Sequence, residues 1–464
     1  MSNIKYISTR GDGNTLLFKD VIFEGLAPDG GLYVPEAWPV LDSELIKSFK
    51  NFSYNEIAFH VIKVFLDESI SDSVLKDVIA KSYSHFESKD VTPLVHVHNN
   101  EYILELFHGP TMAFKDVAMQ FIGNIMNYYL NITNEKINIL GATSGDTGAA
   151  AIEGFKNTQN CRIFILHPHN RISEVQKKFM TTVDSDNIHN LAIKGSFDDC
   201  QNIIKKIFSD TNFKKESNLT AINSINWARI MCQTVYYFFA MSRIDSSGKE
   251  CMFTVPTGNF GDILAGYIAK QMGLNIRTLN IATNENDILT RTLNSSVHEL
   301  SEVSMTSSPS IDIQISSNFE RLIYDNCKDS SYIRSIMSDL NNEGKYTLKK
   351  EILDKIKQTF CSYSIHTDEV ESIIKKYMQK FDIILDPHTA VAIGAAERNS
   401  SKYDVSITLS TAHPAKFKDT VSSIINNNEF VPERIINMMK KDDNLVILDN
   451  NIDIIKNYLK ENIL

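Results

Sequence analysis

The chain has 464 residues, of which 43% are hydrophobic and 22% charged. That length exceeds what a single core usually serves, so two or three domains are expected. Lys+Arg total 47 against 57 Asp+Glu, and the net charge of −10 argues against nucleic acid or an anionic membrane as the main partner.

No apolar run approaches the ~20 residues of a membrane span, and the opening Met1–Tyr6 stretch lacks the apolar segment of a secretory signal. The six cysteines (Cys161, Cys200, Cys232, Cys251, Cys327, Cys361) are scattered, as expected for reduced thiols in the cytoplasm. His96 and His98, and again His167 and His169, alternate as on a strand. No cysteine or carboxylate nearby completes a tetrahedral set, so no metal site is expected.

In chain order, the turn-rich stretch Gly25–Pro35 comes first, followed by amphipathic helical patterns at 55–66 and 73–82. An extended stretch begins at Thr92, and a helix is predicted over 117–130. Strand and helix then alternate: strands at 137–140, 162–166 and 187–193, with a helix over 198–208. The same unit returns as a strand at 252–255, a helix at 263–272 and a strand from 276 to 282, and a last strand is read at 405–409. This alternation predicts α/β architecture with parallel sheets, whose ligands bind beyond the carboxyl ends of the strands.

Four loops lie at or near such ends. Ser144-Gly145-Asp146-Thr147-Gly148 combines glycines with hydroxyls at a helix start, which suits a carboxylate or phosphate. Gly258-Asn259-Phe260-Gly261-Asp262 repeats that logic. Ser410-Thr411 can place a hydroxyl at a strand end, although such pairs also serve as caps. Asn223-Ser224-Ile225-Asn226-Trp227-Ala228-Arg229 sets an arginine among amide and hydroxyl donors, the chemistry of phosphate recognition.

Lys115, in His108–Asp116, stands at the mouth of the predicted helix among Met112, Ala113, Phe114 and Val117. A cation gains nothing from that end of a helix dipole. Apolar surroundings lower a lysine pKa and free the amine for imine chemistry. By itself the residue also reads as a surface lysine lying along an apolar patch. Read with the loops, it points to a pyridoxal-phosphate enzyme acting on an amino acid.

The stretches Tyr6–Gly11, Gly25–Pro35, Phe107–Asp116, Gly141–Gly148, Asn223–Arg229, Pro256–Asp262, Ser316–Arg321, Asp386–Val391 and Ser410–Phe417 resemble the longer class of threonine synthases. The resemblance spans residues 6 to 417 in the family's order. It implies a fold type II pyridoxal-phosphate enzyme (tryptophan synthase β-like) with two open α/β domains and an additional N-terminal region. The expected division is 1–92 for the N-terminal region, 131–219 for a small domain, and 93–130 with 220–464 for a large cofactor-binding domain.

The resemblance also implies roles. Lys115 is similar to the lysine that carries the cofactor and moves protons. Gly258, Asn259, Phe260, Gly261 and Asp262 resemble its phosphate loop, and Thr411 resembles the residue beside the pyridine nitrogen. Ser144, Gly145, Asp146 and Thr147 are similar to the substrate-carboxylate loop. Asn223, Ser224 and Arg229 are implied for the substrate phosphate. The implied reaction converts O-phospho-L-homoserine and water to L-threonine and phosphate by β,γ-elimination and replacement. The alternatives are a related phospho-lyase releasing 2-oxobutyrate and a non-catalytic binding protein on the same fold. A cytoplasmic monomer is expected, with a dimer as the alternative.

Overall fold

The computed structural model describes residues 4–245 and 248–464. Two sheets organise it. The larger has six strands in the order Phe360–Ser364, Thr278–Thr283, Cys251–Pro256, Val405–Ser410, Glu101–Glu105 and Leu94–His98. Its pairings are parallel except the last, an antiparallel hairpin. The smaller sheet is wholly parallel, in the order Val446–Asp449, Ile188–Lys194, Cys161–Pro168, Ile137–Ala142 and Leu219–Ala221. The expected alternating architecture is therefore present, and the chosen loops leave the carboxyl ends of these strands.

One difference concerns the chain's tail. The expected division put all of 220–464 with the large sheet. The strand Val446–Asp449 instead pairs with Ile188–Lys194 at the edge of the small sheet. The helix Ile452–Asn462 buries Ile455 and Leu459 against Cys200, Ile203, Ile207 and Phe213. Two buried apolar side chains cannot form a core of their own, so the segment completes an existing one.

Residues before the hairpin form the N-terminal region. There Tyr6–Ser8 pairs antiparallel with Tyr33–Pro35, and the helices Tyr54–Lys63 and Asp72–Tyr83 lie within two residues of their predicted bounds at the starts and three at the ends. The region grips the start of the helix Trp227–Ser242: Trp227 Nε1 donates to Tyr6 Oη at 3.1 Å, and Asn226 donates to the Ile22 carbonyl at 2.9 Å. Every residue from Trp227 to Met241 is buried, Arg229 and Gln233 included, because this mostly apolar helix packs against the helices Tyr54–Lys63, Lys115–Thr133 and Gly261–Gln271.

The helix that begins at Lys115 runs to Thr133, and the helix that begins at Asp146 runs to Phe155. Their backbones touch, since a Cβ on Gly123 would lie 1.8 Å from the Gly154 carbonyl oxygen. Only glycine at this crossing allows the two helices to approach so closely. The approach fixes Lys115 and Asp146 relative to each other.

All six cysteines are unpaired. His96 lies beside the Asn99 carbonyl and His98 beside Glu101. Among the described residues there is no group of three metal-ligating side chains, and no helix is long and apolar enough to cross a membrane.

Candidate active site

The turn before Lys115 is held from within and from outside. Asp116 accepts hydrogen bonds from the Thr111 N–H at 2.8 Å and the Thr111 hydroxyl at 2.7 Å. Met112 takes a positive φ of 57°. The Phe114 N–H donates to the Thr411 carbonyl at 2.9 Å, and Ala113 bridges Ala412. The turn is thereby stapled to the exit of Val405–Ser410, which brings Lys115 and Thr411 to one cleft.

Lys115 is 9% exposed and extends to Asp146, with Nζ 3.1 Å from Oδ2. Burial pulls its pKa below the ordinary lysine value; Asp146 pushes the other way, and Lys416 and Arg229 add to the lowering. Asp146 takes a second cation, since Lys416 Nζ lies 2.8 Å from Oδ1. Burial alone would raise the Asp146 pKa, but the two lysines hold it well below the usual carboxylate range. Charge-assisted hydrogen bonds of ~1.5–3 kcal/mol each account for that balance. The cluster holds one carboxylate for two ammonium groups, so Lys115 is the amine that loses its proton readily.

Beyond Lys115 opens a cleft lined by Phe114, Thr147, Ser224, Arg229, Gly258–Ile263, Ser310, His388 and Thr411, among others. Its floor is the start of the helix Gly261–Gln271. The carbonyls of Gly258 and Asn259 are drawn away from the cleft by Ser316 and Asn318. Among the described residues, the N–H groups from Gly258 to Asp262 have no acceptor within the protein. Gly258 has no room for a side chain, because a Cβ would lie 2.9 Å from the Ser310 carbonyl oxygen. Nearby, Arg229 Nη1 donates to the Asn223 carbonyl at 3.1 Å, while its buried Nε has no partner. Burial brings Arg229 down to about 10, so it stays cationic at neutral pH. Burial also raises Asp262 to about 7, against the lowering effect of hydrogen bonds from the Tyr236 and Tyr237 hydroxyls.

Most residues singled out from sequence meet here: Lys115, Thr147, Ser224, Arg229, Gly258 to Asp262 and Thr411 line the cleft, and Asp146 touches Lys115. Ser144 is exposed at the loop's outer side, and Gly145 caps the helix at φ 143°. Asn223 is half-buried, and its Oδ1 accepts the Ile225 N–H at 3.1 Å. Residues the sequence reading passed over are Gln233, Ser310, His388 and Lys416. His388 Nδ1 lies 2.9 Å from Asp386, and its Nε2 accepts the Ser310 N–H at 3.0 Å, so the two contacts fix the ring in the cleft wall. Lys416 carried a usable signal: like Lys115, it is a lone lysine in a short apolar run, Pro414-Ala415-Lys416-Phe417.

This donor set fits pyridoxal phosphate. The uncapped helix start and free N–H groups suit its phosphate, and a buried amine of lowered pKa suits its aldehyde. A sequence profile described as pyridoxal-phosphate dependent enzyme matches residues 87–410. Fold and site together thus define a fold type II pyridoxal-phosphate enzyme. Two further profiles, threonine synthase N terminus and threonine synthase, C-terminal, match 5–83 and 389–459.

Threonine synthases from Pseudomonas aeruginosa and Saccharomyces cerevisiae are each 41% identical to the chain. The alignments cover 99% of this chain and 98% of the first relative, and 98% of this chain and 97% of the second. The crystal structure of PLP-bound threonine synthase from Brucella melitensis superposes with a TM-score of 0.96 at 43% identity, covering 99% of each chain. The chain belongs to the threonine synthase family.

Proposed function

We propose that the chain converts O-phospho-L-homoserine and water to L-threonine and phosphate, with Lys115 as the amine that carries the cofactor and moves the protons. The observation that carries this reading is the geometry at Lys115: an amine of lowered proton affinity facing a cleft with an open helix start and an arginine with an unpartnered Nε.

Bound in the cleft, pyridoxal phosphate supplies an electron sink for negative charge at the substrate α-carbon. The N–H groups of Gly258 to Asp262 hold the cofactor phosphate, and the Thr411 hydroxyl offers the ring nitrogen a neutral partner. Thr147, with Ser144 and Gly145 on the same loop, takes the substrate carboxylate at the start of the Asp146 helix. Ser224 and Arg229 take the substrate phosphate, and Asn223 fixes the shape of their loop through its bonds to Ile225 and Arg229. The Lys115 amine removes the proton at the substrate α-carbon; a β-proton is lost as the γ C–O bond breaks and phosphate leaves, the γ-carbon takes up a proton, water adds its hydroxyl at the β-carbon, and Lys115 returns the α-proton. A neutral amine is needed for the first step and an ammonium for the last, which a lowered pKa provides.

We take a monomer as the working unit. Size-exclusion chromatography with light scattering tests that reading. The unpaired cysteines support a reducing, cytoplasmic setting. We divide the chain by its sheets, with 446–464 joining the small unit. Product analysis tests the reaction: L-threonine and phosphate in equal amounts are expected from O-phospho-L-homoserine. 2-Oxobutyrate and ammonia as the main products would replace the synthase reading with the lyase alternative.

A further inference from the structure

We infer that Lys416 is a positioning residue that shares Asp146 with Lys115 and so releases the Lys115 amine for reaction. The inference rests on Lys115 being the reactive amine of the site.

The geometry is that of a carboxylate divided between two cations. Asp146 presents Oδ2 to Lys115 at 3.1 Å and Oδ1 to Lys416 at 2.8 Å, and Gln176 Nε2 also donates to Oδ1 at 3.2 Å. Lys416 has a fully buried side chain, donates to the Thr111 carbonyl at 2.6 Å and lies 4.7 Å above the Phe179 ring. A buried ammonium needs a carboxylate, and Asp146 is the one within salt-bridge distance of Lys416 among the described residues. Three elements supply the cluster: the Lys115 helix, the Asp146 helix and the turn after Val405–Ser410. The charged and titratable groups around it are Arg229, which faces Lys115, Asp116, which faces Lys416, and His388, which faces Asp146.

Without Lys416, Asp146 would serve Lys115 alone and hold its proton. With Lys416 in place, Asp146 is already neutralised, and Lys115 gives up its proton without leaving a bare buried carboxylate. Lys416 also ties the Asp146 helix to the Thr111–Asp116 turn, so one side chain fixes both the position and the charge of Asp146.

The test measures the pH dependence of Lys115 acetylation in the cofactor-free full-length chain, by limited labelling with acetic anhydride and mass spectrometry. Lys416→Met keeps the stem against Phe179 and removes the charge. It is expected to slow Lys115 labelling at pH 8 by about tenfold or more, the effect of a pKa rise of about one unit. Lys416→Arg is expected to restore most of the rate. In an Asp146→Asn background the Lys416→Met change is expected to matter little, because no carboxylate is left for the two lysines to share. An unchanged Lys115 profile in Lys416→Met, or the same slowing in both backgrounds, overturns the inference. If Lys416→Met does not fold, Lys416→Gln takes its place: slower Lys115 labelling supports the inference, and an unchanged rate refutes it. Absence of cofactor from Lys115 in the loaded enzyme would instead sink the underlying assignment, which separates the two failures.

Discussion

The corners at Thr143–Gly148 and Pro256–Asp262 share a plan: a parallel strand, a glycine loop and a helix with aspartate in its first turn. They treat that aspartate in opposite ways. Asp146 meets two lysines and stays charged. Asp262 meets two tyrosine hydroxyls and is pushed up to about 7. The first corner therefore carries a charged aspartate beside two amines. The second keeps its aspartate close to neutral beside an open helix start. One local motif gives two electrostatic settings, and the partners supplied by distant parts of the chain decide which.

Removing the amine breaks the comparison most completely. Lys115→Ala is expected to lower turnover on the order of 10⁴-fold or more and to abolish covalent cofactor attachment, as steady-state kinetics and absorbance will register. Next comes the cation between the corners. Arg229→Gln is expected to raise KM for O-phospho-L-homoserine on the order of 100-fold, the effect of losing about 3 kcal/mol of charge-assisted bonding. Cofactor affinity should change far less; an equal fall would move Arg229 to the cofactor's phosphate.

A smaller effect sharpens the contrast in charge. A carboxyl whose folded pKa is raised from about 4 to about 7 binds more protons folded than unfolded between those values. Its contribution to stability is greatest below the unfolded pKa and is lost as pH climbs to about 7. Asp262→Asn is expected to remove that slope, so the cofactor-free variant should gain on the parent in Tm between pH 4 and 7, on the order of 2–4 °C. Parallel melting curves across that range would contradict the neutral-aspartate reading. The smallest effect belongs to Ser224→Ala, where loss of one neutral donor should raise KM by about tenfold or less with turnover retained.

The corners were legible in the sequence because glycines, hydroxyls and helix starts are local signals at strand ends. Lys115 was legible through its apolar neighbours. What sequence could not assign depends on contacts across the chain. Lys416 is buried by Phe179 and the Thr111 turn. His388 becomes part of the cleft through Ser310, and Ser310 closes over Gly258 from a loop without regular periodicity. The strand Val446–Asp449 has three residues exposed and one half-buried, so no alternation in the sequence points to the small sheet. Asn223 Oδ1 likewise accepts the Ile225 N–H of its own turn, a contact that residue type alone does not announce.

The central claim is that, of two buried lysines on one carboxylate, Lys115 carries the cofactor. Borohydride reduction of the holoenzyme, followed by peptide mapping, tests it directly. A single cofactor-bearing peptide modified at Lys115 is expected, with Lys416 unmodified. Modification at Lys416, or at neither residue, would contradict it.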